Sequence, residues 1–276
     1  MKKLEIRNLH VSVGENQILN GVNLTINAGE TVALLGPNAH GKSTLLHAIM
    51  GHPLYRVTAG EILFDGENLL EKSVDQRAKL GIFLGMQYPA EVPGVINSDF
   101  YKAAINARSK NPISVMKLYR EIDAASKKLN IPLDMANREL NNGFSGGEKK
   151  RNEILQLLLL QPALAMLDEI DSGLDVDALQ AVAEVIKEQQ ENGMSFLVIS
   201  HYERLYAMIK PTKVVVLING QNLLTGGMEI IEKTDRYGYE WLRNEYGIDI
   251  DKKSNGKQST SLGYCLTKEV LEHESK

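Results

Sequence analysis

Residues 4–13, LEIRNLHVSV, alternate in character along the chain, which predicts a half-buried β-strand. The next stretch, ILNGVNLTINAGETVALLG (18–36), carries apolar runs on both sides of the turn-forming Asn27-Ala28-Gly29 and predicts two more strands. GEILFDGENLL (60–70) adds a strand closed by an Asp65-Gly66 turn, and LGIFLGMQY (80–88) reads as a short buried strand ending near Gln87.

From 88 to 140 the period changes. Val115, Leu118, Ile122, Ala125 and Leu129 recur at helical spacing, interrupted by Pro112 and Pro132, and predict a helical insert. Strand-like runs return at ALAML (163–167), SFLVIS (195–200) and KVVVLING (213–220), with helical stretches between the first two. Strands alternating with helices predict an α/β fold whose mainly parallel sheet is flanked by helices. Residues 1–87 and 151–246 are expected to form the core and 88–150 the insert. The polar segment 247–276, with DIDKKSNGKQSTSLG at its start, is expected to be a mobile tail in which YCLTKEVLEHESK could form a short helix.

Composition narrows the function classes. The 276 residues are 43% hydrophobic and 24% charged, enough for one composite globular domain. A formal net charge of −4 gives no overall positive field to attract nucleic acid or an anionic membrane. The single cysteine, Cys265, has no partner for an internal disulfide and cannot by itself hold a cluster, which fits a reducing cytoplasm. Glu5, Arg7 and His10 interrupt the place where a signal peptide needs an apolar core, and no run approaches a membrane span, so membrane contact is expected only through a partner.

VALLGPNAHGKSTLLHAIMG supplies the first chemistry. A buried strand leads through Gly36-Pro37-Asn38-Ala39-His40-Gly41-Lys42-Ser43-Thr44 into an amphipathic helix, the phosphate-loop pattern in its strand–loop–helix context. Glycines let backbone N–H groups converge with the helix N-terminus on phosphate oxygens. Lys42 is expected at the β- and γ-phosphates and Ser43 on Mg²⁺. Ala39 removes freedom that glycine would give, and His40 is read as a tolerated surface substitution without a role of its own.

NNGFSGGEKKRNEILQLLLL (141–160) is a good helix sequence with two glycines, Gly146 and Gly147, in its first turn, although each costs a helix interior roughly 1 kcal/mol. Ser145 and Glu148 form a capping-box pattern there. Taken alone, a self-capped helix start is the better reading; the alternative is an anion site, because glycine bares the N–H groups at the positive end of the dipole.

Its company reverses that balance. LAMLDEIDSGLD (164–175) is an apolar strand ending in Asp168-Glu169 and running into Ser172-Gly173-Leu174-Asp175, while LVISHYERL sets His201 just past another strand. In this order, with Gln87 upstream, the chain resembles the nucleotide-binding domains of ABC ATPases over residues 1 to about 243. The resemblance implies a P-loop NTPase fold with a RecA-like core, an antiparallel β-subdomain and an α-helical signature subdomain. It also implies ATP hydrolysis between two subunits. Glu169 would polarise the attacking water, Asp168 would hold Mg²⁺, Gln87 would contact metal or water, and His201 would contact the γ-phosphate. Ser145, Gly146 and Gly147 would close on the nucleotide of the other copy. Val13 stands about where many such domains stack an aromatic ring on adenine, so the base is expected to be held by apolar contact.

FSGGEKKRNEILQ, DEIDSGLDVDAL, QYPAEVPGV and YGYEWL further resemble the SufC family, the ATPase subunits of the SUF machinery for iron–sulfur cluster assembly, up to about Leu242. That resemblance implies a cytoplasmic ATPase with SufB-like and SufD-like scaffold partners and a transient ATP-dependent dimer of two ATPase subunits. The Pro-rich PAEVPGV loop could face a partner or simply connect to the insert, and YGYEWL could be core or interface. The rival reading is the energising subunit of a membrane transporter; a second is a nucleotide-gated binding module, against which Lys42, Glu169 and His201 count.

Overall fold

The computed structural model describes residues 2–248 and 250. The expected short helix at 264–276, Cys265 and nearly all of the expected tail lie outside the described residues.

The chain opens with β1 (Leu4–Val13), β2 (Asn16–Ile26) and β3 (Thr31–Leu35), then α1 (Lys42–Met50), β4 (Arg56–Phe64), β5 (Glu67–Asn68), α2 (Val74–Leu80) and β6 (Ile82–Gly85). The insert holds β7 (Val92–Ile96), α3 (Asn97–Arg108), α4 (Val115–Lys128) and β8 (Glu139–Leu140), and leads into α5 (Gly146–Leu160). The core resumes with β9 (Leu164–Asp168), α6 (Val176–Glu191), β10 (Ser195–Ile199), α7 (Glu203–Ile209), β11 (Lys213–Ile218), β12 (Gln221–Gly226), α8 (Met228–Tyr237) and α9 (Glu240–Tyr246).

Two sheets carry the molecule. β2-β1-β4-β5 is antiparallel, and β12-β11-β3-β10-β9-β6 is parallel except for its edge strand β12. Strand periodicity splits the core. Along β3, Val32 and Leu34 face the antiparallel sheet and α1, whereas Ala33 and Leu35 join Ala165, Leu167, Phe196 and Val198 in a layer under the helices. Every residue of β3, β9 and β10 is buried, as continuous apolar runs require when both faces are covered. The loops at the C-terminal ends of these strands carry the chemistry.

Two local features depart from the sequence expectation. Leu80-Gly81 is the end and C-cap of α2, started by a Ser73–Gln76 capping box, and not the beginning of a strand; Gly81 takes φ 100° to stop the helix. The insert begins with a short ladder, β7 against β8, where helical periodicity was expected. Its irregular register and Gly94 at φ 80° accommodate Pro93, which has no N–H for a ladder. As the sequence of 141–160 predicts, a single helix, α5, runs across residue 150 and joins insert to core.

Candidate functional site

β3 stops where Gly36 turns to φ 151°, a conformation reserved for glycine, and a Cβ there would lie 2.1 Å from the Leu217 carbonyl oxygen. The loop then runs to Gly41, which caps α1 at φ 104°. Ala39 takes φ 65°, so the loop keeps its left-handed turn despite the methyl group. Lys42 is buried, and its Nζ donates to the Gly36 and Pro37 carbonyls at 2.6 and 3.0 Å. Burial lowers its pKa, opposed by Glu169 and Asp168. His40 is not on the surface. It is 6% exposed, its Nδ1 accepts the Asn219 N–H at 3.0 Å, and its carbonyl accepts the Gly220 N–H, so the ring pins the loop to the β11–β12 turn.

At the end of β9, Asp168 is buried beneath this loop and accepts a hydrogen bond from the Ser43 side chain. Burial raises its pKa, with Glu169 adding to the effect and Ser43, Lys150 and Lys42 opposing it. One of its oxygens, Oδ1, is buried without a protein partner. Glu169 sits at φ 48°, held by its N–H to the Ile199 carbonyl at 3.0 Å. This strained backbone aims both carboxylate oxygens at neighbours. Gln87 Nε2 donates to Oε2 at 2.7 Å, and His201 Nε2 lies 3.1 Å from Oε1.

α5 begins with the expected capping box: Ser145 Oγ accepts the Glu148 N–H at 3.3 Å, and Glu148 Oε2 accepts the Ser145 N–H at 2.8 Å. The two glycines differ. A Cβ on Gly147 would lie 2.9 Å from the Gly173 carbonyl oxygen, whereas one on Gly146 would meet nothing within 4 Å. One helical turn on, Lys150 and Glu153 are buried and grip the residue before Gln87. Lys150 Nζ donates to the Met86 carbonyl at 2.6 Å and to the Asp168 carbonyl at 3.2 Å, and Glu153 Oε1 accepts the Met86 N–H at 2.9 Å. Burial pushes the Glu153 carboxyl up to about 7.

An open pocket of about 490 Å³ gathers Asn38, Ala39, Gly41, Lys42, Ser43, Thr44, Gln87, Glu169 and His201, with Ile18 on one wall. Gly36 and Pro37 support it through Lys42, and Asp168 through Ser43. Ser145, Gly146 and Gly147 do not line this pocket. Nor does Val13; the apolar wall next to the phosphate loop is Ile18, which the sequence reading did not single out.

The ABC transporter family matches residues 19–172, from β2 through the end of β9 to Ser172. The chain belongs to this family. It is similar to vegetative protein 296 of Bacillus subtilis, 50% identical over 248 residues that cover 89% of this chain and 95% of the relative. A probable ABC transporter ATP-binding protein of Streptococcus pyogenes is 48% identical over 256 residues, covering 92% of this chain and 100% of that one. Among solved structures, an ATP-binding subunit of an ABC transporter superposes with TM-score 0.72 at 25% identity, over 84% of this chain and 93% of the other. A dimeric ATP-binding cassette bound to ADP and Pi gives TM-score 0.72 at 21% identity over 82% and 98%, a likeness of fold. The protein is thus an ABC-type ATPase that binds and hydrolyses ATP. Among the described residues no helix is long and apolar enough to cross a membrane.

Proposed function

We propose that this ATPase acts as a transient ATP-dependent dimer and works in the cytoplasm on SufB-like and SufD-like scaffold proteins during iron–sulfur cluster assembly. The observation that carries the reading is the grip of Lys150 and Glu153 on Met86. These residues belong to FSGGEKKRNEILQ, the stretch that departs from the Gln-, Arg- and Ala-rich helix usual in transporter subunits, and here they hold the backbone of the residue before Gln87. Beside Met86 opens an apolar groove of about 600 Å³, bordered by Met50, Phe83, Leu84 and Phe100, with room for a partner's apolar segment. The cluster itself would sit on the partners.

In each site, backbone groups of 36–41 and the α1 N-terminus cradle the phosphates while Lys42 leaves the Gly36 carbonyl for the β- and γ-oxygens. Glu169, aligned by Gln87 and His201, polarises the attacking water, and His201 also reaches the γ-phosphate. The buried, unpartnered Asp168 Oδ1 and the Ser43 hydroxyl suit a hard dication with oxygen ligands, and Gln87 borders the same space. A Mg²⁺ ion held by these residues would supply positive charge for phosphoryl transfer. Ser145, Gly146 and Gly147 stand outside their own chain's pocket, which suits completion of a second copy's site. ATP closure would draw the scaffold partners together and hydrolysis would release them.

Affinity capture of the tagged protein from its own cells, followed by mass spectrometry, tests the assignment. Soluble SufB-like and SufD-like proteins are expected. Recovery of an integral membrane protein instead would favour the second reading, a transporter's ATP-binding subunit, which the likeness to a probable ABC transporter ATP-binding protein of Streptococcus pyogenes supports.

A further inference from the structure

YGYEWL, at the junction of α8 and α9, has no part in the chemistry above, and it lies outside the family match at 19–172. Its Tyr239 hydroxyl nevertheless accepts the Gly36 N–H at 2.8 Å, more than 200 positions back in the chain. Gly36 is the first residue of the phosphate loop, and its carbonyl accepts from Lys42 Nζ at 2.6 Å. A single glycine therefore links the C-terminal hairpin on one side to the phosphate-binding lysine on the other. We propose that Tyr239 is a positioning residue for ATP binding, holding Gly36 in place as Lys42 changes partner from the loop carbonyls to the phosphates.

Three observations support a built tether. Gly36 runs close to β11 on one side, where a Cβ would lie 2.1 Å from the Leu217 carbonyl oxygen, and Tyr239 holds its N–H on the other. The hairpin that carries Tyr239 is anchored in the core by buried Ile230, Ile231, Trp241 and Leu242, and Trp241 Nε1 donates to Thr234 Oγ1 across the α8–α9 corner. The phenol is also largely enclosed, which raises its pKa to about 12 and keeps it neutral and available as an acceptor at physiological pH. A second tyrosine does the same for the neighbouring loop. Tyr206 accepts the Ser200 N–H at 2.8 Å, and both rings line one cavity of about 210 Å³ that His201 also borders.

Tyr239→Phe removes the acceptor and leaves the ring. The Kd and KM for ATP should rise about 3- to 10-fold, as expected for one lost hydrogen bond to a loop that must order around ligand. At saturating ATP, kcat should stay within about twofold of the parent, because the hydrolytic groups are untouched. An unchanged Kd, or a fall in kcat without a change in Kd, overturns the proposal. Hydrogen exchange at the Gly36 amide of the unaltered protein is a second measurement that does not depend on the variant folding. It should be at least roughly 100-fold slower than an open loop amide, and exchange at the open-loop rate would overturn the tether.

Discussion

Gln87 donates its side-chain amide to Glu169 Oε2 at 2.7 Å, across 82 positions of sequence. Because His201 takes the other carboxylate oxygen at 3.1 Å, Glu169 is held at two points by residues from two different loops. A group so fixed is ordered before substrate arrives, which is where positioning contributes most to phosphoryl transfer.

Replacing that carboxylate with a neutral amide, Glu169→Gln, should lower the rate of phosphate release by about 10²- to 10⁴-fold, the usual contribution of a general base. ATP binding should persist, since Lys42 and the loop backbone are untouched. Phosphate release at or near the parental rate would remove Glu169 from the role of base.

Gly146 answers a question that Gly147 does not. Gly147 is a packing requirement, with the Gly173 carbonyl oxygen only 2.9 Å from where its Cβ would be, but Gly146 faces open space in the single chain. Gly146→Ala should therefore raise the melting stability of the nucleotide-free protein by about 0.5–1 kcal/mol. The same substitution should cut ATPase activity sharply if this surface meets nucleotide on a second copy. Mixing a Gly146→Asp chain with a Lys42→Ala chain should restore part of the activity, since one of the two shared sites is then intact. No recovery on mixing would count against composite sites.

The strands and the catalytic loops were legible because each rests on local chemistry. Continuous apolar runs named β3, β9 and β10, and residue type and order named Lys42, Asp168, Glu169 and His201. What stayed hidden depends on contacts between distant positions. His40 looked exposed because nothing nearby announces the β11–β12 turn that buries it, and Ile18 faces the pocket only once β2 has folded beside the loop. Lys150, Asn152 and Glu153 are polar or charged and carry no local sign of burial, yet all three are buried in α5; buried Asn97 and Asn141 take the Asn152 amide. The unbroken apolar run at 157–160 was a signal that this helix is buried on more than one side.

Glu153 makes stability depend on pH. Its carboxyl rises from the ordinary 4.5 to about 7 because burial penalises the charge. A carboxyl raised in the folded state adds stability that is complete below about 4.5 and is lost as pH climbs through about 7. Denaturant titrations at pH 5 and pH 8 should show the parent losing roughly 1–3 kcal/mol more than Glu153→Gln over that interval. Parallel pH profiles for the two proteins would show that Glu153 is not the responsible group.

Tyr206 should behave unlike Tyr239, although the two hydroxyls do similar work. Tyr206 is 1% exposed, and besides accepting the Ser200 N–H it can donate to the Val198 carbonyl at 3.2 Å. Tyr206→Phe leaves a buried N–H without that acceptor, at a cost of about 1–3 kcal/mol in unfolding free energy, measurable by denaturant melts. Ser200 immediately precedes His201, so the loosened loop should misplace the imidazole that contacts Glu169. The kinetic loss should therefore fall on kcat, with ATP affinity close to the parent's. A variant that weakened ATP binding and spared kcat would mean that the two tyrosines serve the same loop.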